Sequence, residues 1–212
     1  MRLLLILVVA AAASASDVET QHGFDGSIPL RPKIDLLLHG RLRTRPAELG
    51  LYQFRGGPIL SYHASPRTSL LGGYYYAEQQ QRADDAFIAG HRIFGGVETD
   101  LRSVRRYEID GRVVYERFLP DQVPDFNRYR ARLRVSAKGP IAPYASQEHL
   151  FDDGGWRSAR LAAGVRFRVA PWVQLDLGYF FEERAARIGV DRHMWLTSIH
   201  FQRKPRRGDP DL

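Results

Sequence analysis

The chain has no cysteine among its 212 residues. That excludes a disulfide framework, a thiolate metal site and a cysteine nucleophile. Beyond the N-terminal segment no stretch has eighteen consecutive apolar residues, so no later helix can cross a bilayer. A chain of this kind that spans a membrane must do so as a closed barrel. Metal-ligand spacing is missing as well. His39, His91, His193 and His200 form no H-x-x-x-H pair and stand beside no cluster of acids. There is no phosphate loop and no dinucleotide glycine motif. Gly-Gly pairs such as Gly72-Gly73 and Gly95-Gly96 read as strand bends. No segment carries a convincing helical period.

What is present begins with an export signal. Arg2 supplies the charge, Leu3 to Ala10 an apolar core too short to span a bilayer, and Ala13-Ser14-Ala15 an A-x-A cleavage site. Residues 1–15 therefore read as a signal peptide. With no cysteine at the cleavage point, no lipoprotein anchor is expected. Lys and Arg number 31 against 24 Asp and Glu, a net charge of +7, and removing residues 1–15 takes away Arg2 alone to leave +6. The excess could suggest nucleic-acid binding. Export argues against that, as does the spacing: the arginines alternate along strands, and no nucleic acid is expected as partner.

That spacing is the strongest signal in the chain. In Arg128-Tyr129-Arg130-Ala131-Arg132-Leu133-Arg134-Val135 every even position is arginine and every odd one is apolar or aromatic. The pattern returns from Ala159 to Val169, with Arg160, Arg166 and Arg168 set against Leu161, Val165 and Phe167. Period two means a strand with two unlike faces. Similar strands are expected at 36–43, 51–63 with a bulge at Gly56-Gly57-Pro58, 71–78, 87–109 with a bulge at Gly95-Gly96, 112–118, 141–149, 173–182 and 193–202. Asp110-Gly111 reads as the tightest hairpin turn. The sum is a single all-β domain, an antiparallel up-and-down transmembrane β-barrel of about ten strands over 35–202 with a polar, charged lumen. A periplasmic lead-in with little regular structure is expected at 16–34 and a disordered basic tail at 203–212.

An even strand count suits bacterial outer-membrane barrels, as do short connections alternating with longer polar ones at 45–49, 78–85, 119–127, 150–156 and 183–191. Both ends of the mature chain then fall on the periplasmic side. Tyr129, Trp156, Trp172 and Trp195 suit aromatic girdles. The expected lumen network is Arg128, Arg130, Arg132, Arg134, Arg160, Arg166 and Arg168 with Glu116, Glu148, Asp176 and Glu182, since unpaired buried charge is costly. The expected lipid-facing set is Tyr129, Leu133, Val135, Leu161, Val165, Phe167, Leu175, Leu177, Trp195 and Ile199. Outer-membrane lipid and the barrel-assembly machinery are the partners this implies. A small anionic solute joins them if the arginines line a pore.

From about Leu71 to Gln202 the chain resembles the bacterial family catalogued as domain of unknown function 2490, predicted outer-membrane barrels. The resemblance rests on the order and spacing of Gly73-Tyr74, His91-Arg92-Ile93-Phe94, Tyr115-Glu116-Arg117-Phe118, Arg128-x-Arg130-x-Arg132-Leu133, Gln147-Glu148-x-x-Phe151, Arg160-x-x-x-Gly164, Leu177-Gly178-Tyr179 and the closing His193–Phe201 strand. It implies the barrel and the outer membrane, and it brings no activity with it. The basic stretch after Phe201 departs from the terminal aromatic residue usual in such barrels.

The same residues admit two other readings. A soluble periplasmic barrel could bind an apolar ligand inside, with the faces reversed. An outer-membrane lipid hydrolase could use Ser146, Glu148 and His149, with His200 nearby in strand order. Period two sets His149 opposite Ser146 and Glu148, which argues against the triad. The expectation is a protein without catalytic, cofactor-binding or metal residues.

Overall fold

A computed structural model describes residues 18–45, 50–80 and 86–202. Among them the chain is all strand and turn, closed into one barrel of eleven strands. These are β1 (Val18–Arg31), β2 (Ile34–Thr44), β3 (Leu51–Ser65), β4 (Thr68–Gln80), β5 (Phe87–Val104), β6 (Tyr107–Pro120), β7 (Phe126–Ala137), β8 (Ile141–Asp152), β9 (Gly155–Ala170), β10 (Val173–Arg184) and β11 (Arg192–Gln202). Each strand is antiparallel to its sequence neighbours. β1 and β11 close the barrel side by side in parallel, in register from Val18↔His193 to Ser27↔Gln202. The expected signal peptide and basic tail lie outside the described residues.

Connections at 32–33, 66–67, 105–106, 138–140 and 171–172 make one rim, called here the turn rim. The opposite strand ends, at Thr44 and Leu51, Gln80 and Phe87, Pro120 and Phe126, Asp152 and Gly155, and Arg184 and Arg192, make the other, the loop rim.

The structure corrects the sequence reading in six places. The segment expected to be an irregular lead-in, 16–34, contributes β1, which raises the strand count from about ten to eleven. Its polar residues conceal the pattern: Glu19 and Gln21 alternate inward and are buried, Glu19 accepting from the Tyr52 hydroxyl at 2.5 Å and Gln21 from Arg43 at 3.0 Å. An odd number of alternating strands cannot close antiparallel throughout, so the up-and-down barrel has one parallel seam. For the same reason Val18 starts at the loop rim and Gln202 ends at the turn rim, rather than both at one side.

The fourth correction concerns Asp110-Gly111. The β5–β6 turn is at Arg105-Arg106, and Asp110-Gly111 lies within β6 opposite Asp100 and Thr99. Tertiary pairing overrides the local turn signal, because Asp110 accepts from Arg132 at 2.9 Å in the interior. Fifth, Gly56–Pro58 and Gly95-Gly96 run through in register. Register irregularities sit elsewhere, among them one between Arg43 and Thr44 opposite Tyr52 and one between Asp100 and Arg102. Gly57 serves close approach instead, since a β-carbon there would collide with the Tyr74 carbonyl. The connection expected over 150–156 also shrinks to Asp153-Gly154, with Gly155 in the left-handed region at φ 94°.

Candidate functional site: the barrel interior

Alternation along every strand separates two populations of side chain. Outside, Tyr129, Leu133 and Leu161 are 52%, 49% and 55% exposed, and Val135, Leu177, Trp195 and Ile199 are exposed with them. Val165, Phe167 and Leu175, on the same outer parity, are half-buried among neighbours. Inside, guanidinium and carboxylate groups dominate, beside a smaller apolar cluster of Ile59, Tyr75, Phe94 and Val114. Most charged side chains thus face inward and many large apolar ones outward, opposite to the usual distribution.

The interior charges form a ladder that crosses from strand to strand. Glu116 on β6 is 1% exposed and accepts from three arginines: Arg92 of β5 at 3.2 Å, and Arg128 and Arg130 of β7 at 2.5 and 3.2 Å. Arg130 continues to Glu148 of β8 at 2.6 Å. Glu148 accepts from Arg160 of β9 at 3.1 Å, and Arg160 reaches Glu182 of β10 at 2.8 Å. Glu182 also accepts from the buried Ser158 hydroxyl at 2.9 Å. Each link joins adjacent strands, so every carboxylate lies between cations supplied by its neighbours. Taking one member away leaves the others buried and unpaired, which is far more costly than the ladder's net contribution.

A second set lies nearer the turn rim. Arg132 donates to Glu98 and Asp110, both at 2.9 Å. Arg166 grips Asp176 with two bonds of 2.7 and 2.8 Å, and Arg134 stands 4.0 Å from the same carboxylate and 4.1 Å over the Tyr144 ring. His200 of β11 ties the parallel seam, 3.1 Å from Asp25 of β1 and 3.3 Å from Asp176 of β10. Of the arginines the alternation marked, Arg168 alone stands apart. It is exposed at the turn rim and makes no ion pair among the described residues.

The two halves of the lumen differ. The most deeply buried large side chains, Tyr52, Glu116, Leu150, Ser158 and Met194, all lie in the loop half, none above 1% exposure. They fill much of that end. A cavity of about 600 Å³ is lined at the turn rim by Ser27, Glu108, Ser136 and Gln202 and reaches inward as far as Gln21, Arg43 and Glu148.

Residues 22–191 match a family described as "Protein of unknown function (DUF2490)". The chain belongs to that family. The DUF2490 match begins within β1 and ends one residue before β11, so it reaches further towards the N-terminus than the resemblance from Leu71 and stops short of the closing strand. No curated protein matches the chain.

Several interior residues of this DUF2490 member lay outside the network expected from the arginine ladder. Arg41, Arg43, Arg55, Arg92 and Arg112 all point inward, as do Asp25, Glu98 and Asp110. Period two on 36–43 puts His39, Arg41 and Arg43 on the polar face, a signal present in the sequence. Arg55 and Arg92 are solitary charges in glycine- and aromatic-rich strands and gave none. Ser146 and Glu148 face the interior, while His149 lies outside and bonds to Gln147 at 2.8 Å. Among the described residues no group of three or more His, Asp or Glu converges as a metal site would require.

Proposed function

We propose that the protein is an outer-membrane β-barrel whose lumen is closed by its ion-pair ladder. Its role there is that of a non-conducting, structurally plugged barrel with an aqueous vestibule on one side. The observation that carries this reading is the inversion of polarity. Leu133 at 49% and Leu161 at 55% exposure alternate with arginines whose heads are held inside by carboxylates. Exposed apolar residues scattered singly are ordinary, but a belt around the whole circumference is stable only against hydrocarbon. Strands of 11 to 18 residues are long enough to cross it, since about 9 to 11 suffice when tilted. Aromatic pairs support the placement: Tyr115 and Tyr129 lie 5.2 Å apart towards the loop rim, and Trp172 and Phe201 5.9 Å apart at the turn rim. Short turns face the periplasm in such barrels, so the vestibule opens there.

Closure, as opposed to conduction, is favoured by the packed loop half. A pore needs a continuous water path, and the ladder from Arg92 to Glu182 occupies it. Two measurements test the proposal. Fractionation should recover the chain with outer membranes, migrating differently on gels before and after heating. Recovery in the soluble periplasm without detergent would refute the membrane reading in favour of a soluble barrel. In planar bilayers the purified barrel should give no sustained conductance steps, and regular steps would refute the closed lumen.

A further inference from the structure

The arginine ladder accounts for most interior charge, but one group of guanidiniums lies outside it. Arg41 of β2 and Arg55 of β3 are direct cross-strand partners. Like charges so placed destabilise a sheet unless something stands between them. Nothing among the described residues does. Arg41 makes no side-chain hydrogen bond and no ion pair there, and its Nε is buried without a partner. Arg55 has His39 Nε2 at 3.2 Å and the Tyr75 ring at 4.9 Å, and its Nε is also without a partner. The other His39 nitrogen, Nδ1, is 2.6 Å from Asp25. With that N–H donated to the carboxylate, Nε2 offers Arg55 a neutral acceptor and no counter-charge.

Arg112 of β6 lies between Arg132 of β7 and Glu98 of β5 as direct cross-strand partners. Glu98 is held by Arg132, whose Nη2 donates to it and to Asp110 at 2.9 Å, and Arg112 makes no ion pair within 4.0 Å among the described residues. Its Nε too is buried and unsatisfied. Arg41, Arg55 and Arg112 all line the 600 Å³ cavity, among nine arginines in total against seven carboxylates. That volume lies in the range of small-molecule sites, roughly 300–1,000 Å³. The same wall carries an apolar patch: Ile59, Tyr75, Phe94 and Val114 pack together with Leu37 beside them, and Leu71 adjoins on the cavity lining.

We propose that the vestibule binds a small organic oxyanion, its carboxylate or phosphate group held by Arg41, Arg55 and Arg112 and its compact apolar body lying on Leu71, Phe94 and Val114. Guanidinium forks match both oxyanions in plane and spacing. The anion supplies the charge that the opposed Arg41–Arg55 pair lacks. The cavity admits a solute from the turn rim, and the deeply buried Tyr52, Glu116, Leu150 and Met194 crowd the other end. The inference rests on the lumen and not on the membrane. A barrel recovered as soluble protein keeps the site, and a membrane barrel that binds nothing refutes this proposal alone.

The test is titration calorimetry on the purified full-length barrel in a zwitterionic amine-oxide detergent free of phosphate. Phenyl phosphate and benzoate are the probes, with inorganic phosphate for comparison at constant ionic strength. At least one organic probe should bind at one site per chain, at least tenfold more tightly than inorganic phosphate. Arg41→Gln and Arg112→Gln should each weaken it by at least tenfold, and Arg168→Gln should leave it unchanged. Arg41→Gln removes half of a repelling pair, so its midpoint of unfolding should not fall, and the loss cannot be assigned to misfolding. Three results would overturn the proposal: no saturable heat from either organic probe, binding indifferent to both substitutions, or inorganic phosphate binding as tightly as phenyl phosphate.

Discussion

Glu116→Gln is the substitution that probes the ladder most directly. The change keeps the size of the side chain and removes its charge. In the native barrel that carboxylate is 1% exposed and serves Arg92, Arg128 and Arg130 at 3.2, 2.5 and 3.2 Å. A glutamine retains one acceptor oxygen, enough for two of the three at most, and turns its NH₂ towards cations that are themselves donors. Arg130 keeps Glu148, but Arg92 and Arg128 have no other carboxylate within 4.0 Å among the described residues. Their remaining support is the Phe118 ring, 4.1 and 4.5 Å away. Removing one partner from a buried ionic cluster costs about 3–5 kcal/mol. With burial this complete, no discount for solvent screening applies. Urea unfolding in detergent, followed by tryptophan fluorescence and by the heat-modifiable gel shift, reads the change. With a slope of roughly 1–3 kcal/mol per molar urea, the midpoint should drop by about 1–5 M. Arg168→Gln, at an exposed rim position, should stay within about 0.5 kcal/mol of wild type. A loss below about 1 kcal/mol for Glu116→Gln would refute the reasoning, because it would mean that water reaches the three arginines and the loop half is not closed.

Other substitutions test other parts of the architecture. Leu133→Arg should destabilise by about 2–4 kcal/mol if this outward position meets lipid near mid-depth, and by under 1 kcal/mol if it meets water; unfolding in vesicles against the wild type separates the two. Gly164→Ala should cost at least about 1–3 kcal/mol by overpacking, because a β-carbon there would lie 2.5 Å from the Leu177 carbonyl and 2.7 Å from the Tyr144 hydroxyl that covers it. A neutral outcome in the same unfolding assay would mean that Tyr144 is not held over the β9–β10 glycines. Tyr52→Phe removes the phenol that donates to buried Glu19, whose remaining partner, Arg192, is 3.7 Å away, and should cost about 1.5–3 kcal/mol. An unchanged midpoint would show that Glu19 has found another donor.

Much of this barrel was legible because one rule, alternation, governs both faces. Where each second residue is arginine, as from Arg128 to Arg134, the strand, its two faces and its charged partners on 141–149 and 173–182 could all be read together. The rule fails where a strand's inward residues are as polar as a loop's. β1 carries Glu19, Gln21 and Asp25 inward, with Gly23, Gly26 and Pro29 along its length, and nothing local distinguishes it from an irregular leader. Only its bonds to β2 and β11 make it a strand. Asp110-Gly111 misled for the opposite reason: a strong local signal was outweighed by pairing along the whole of β5 and β6. The vestibule arginines depend on which strands face one another around the barrel, and closure is a property of the whole chain that no window of sequence contains.

The parallel seam has a consequence for assembly. Ten of the eleven strand pairings join neighbours in sequence and can form hairpin by hairpin as the chain folds. The remaining one unites the first strand with the last, across some 170 residues, and no hairpin precedes it. β1 must wait, attached on one flank only to β2, until β11 arrives pointing the same way. The ion pairs of Asp25 with His200 and of Glu19 with Arg192 then act as the clasp at the two ends of that join. Reporter groups on the two outermost strands would come together last of all, and the interval before they do is the lifetime of an open, curling sheet.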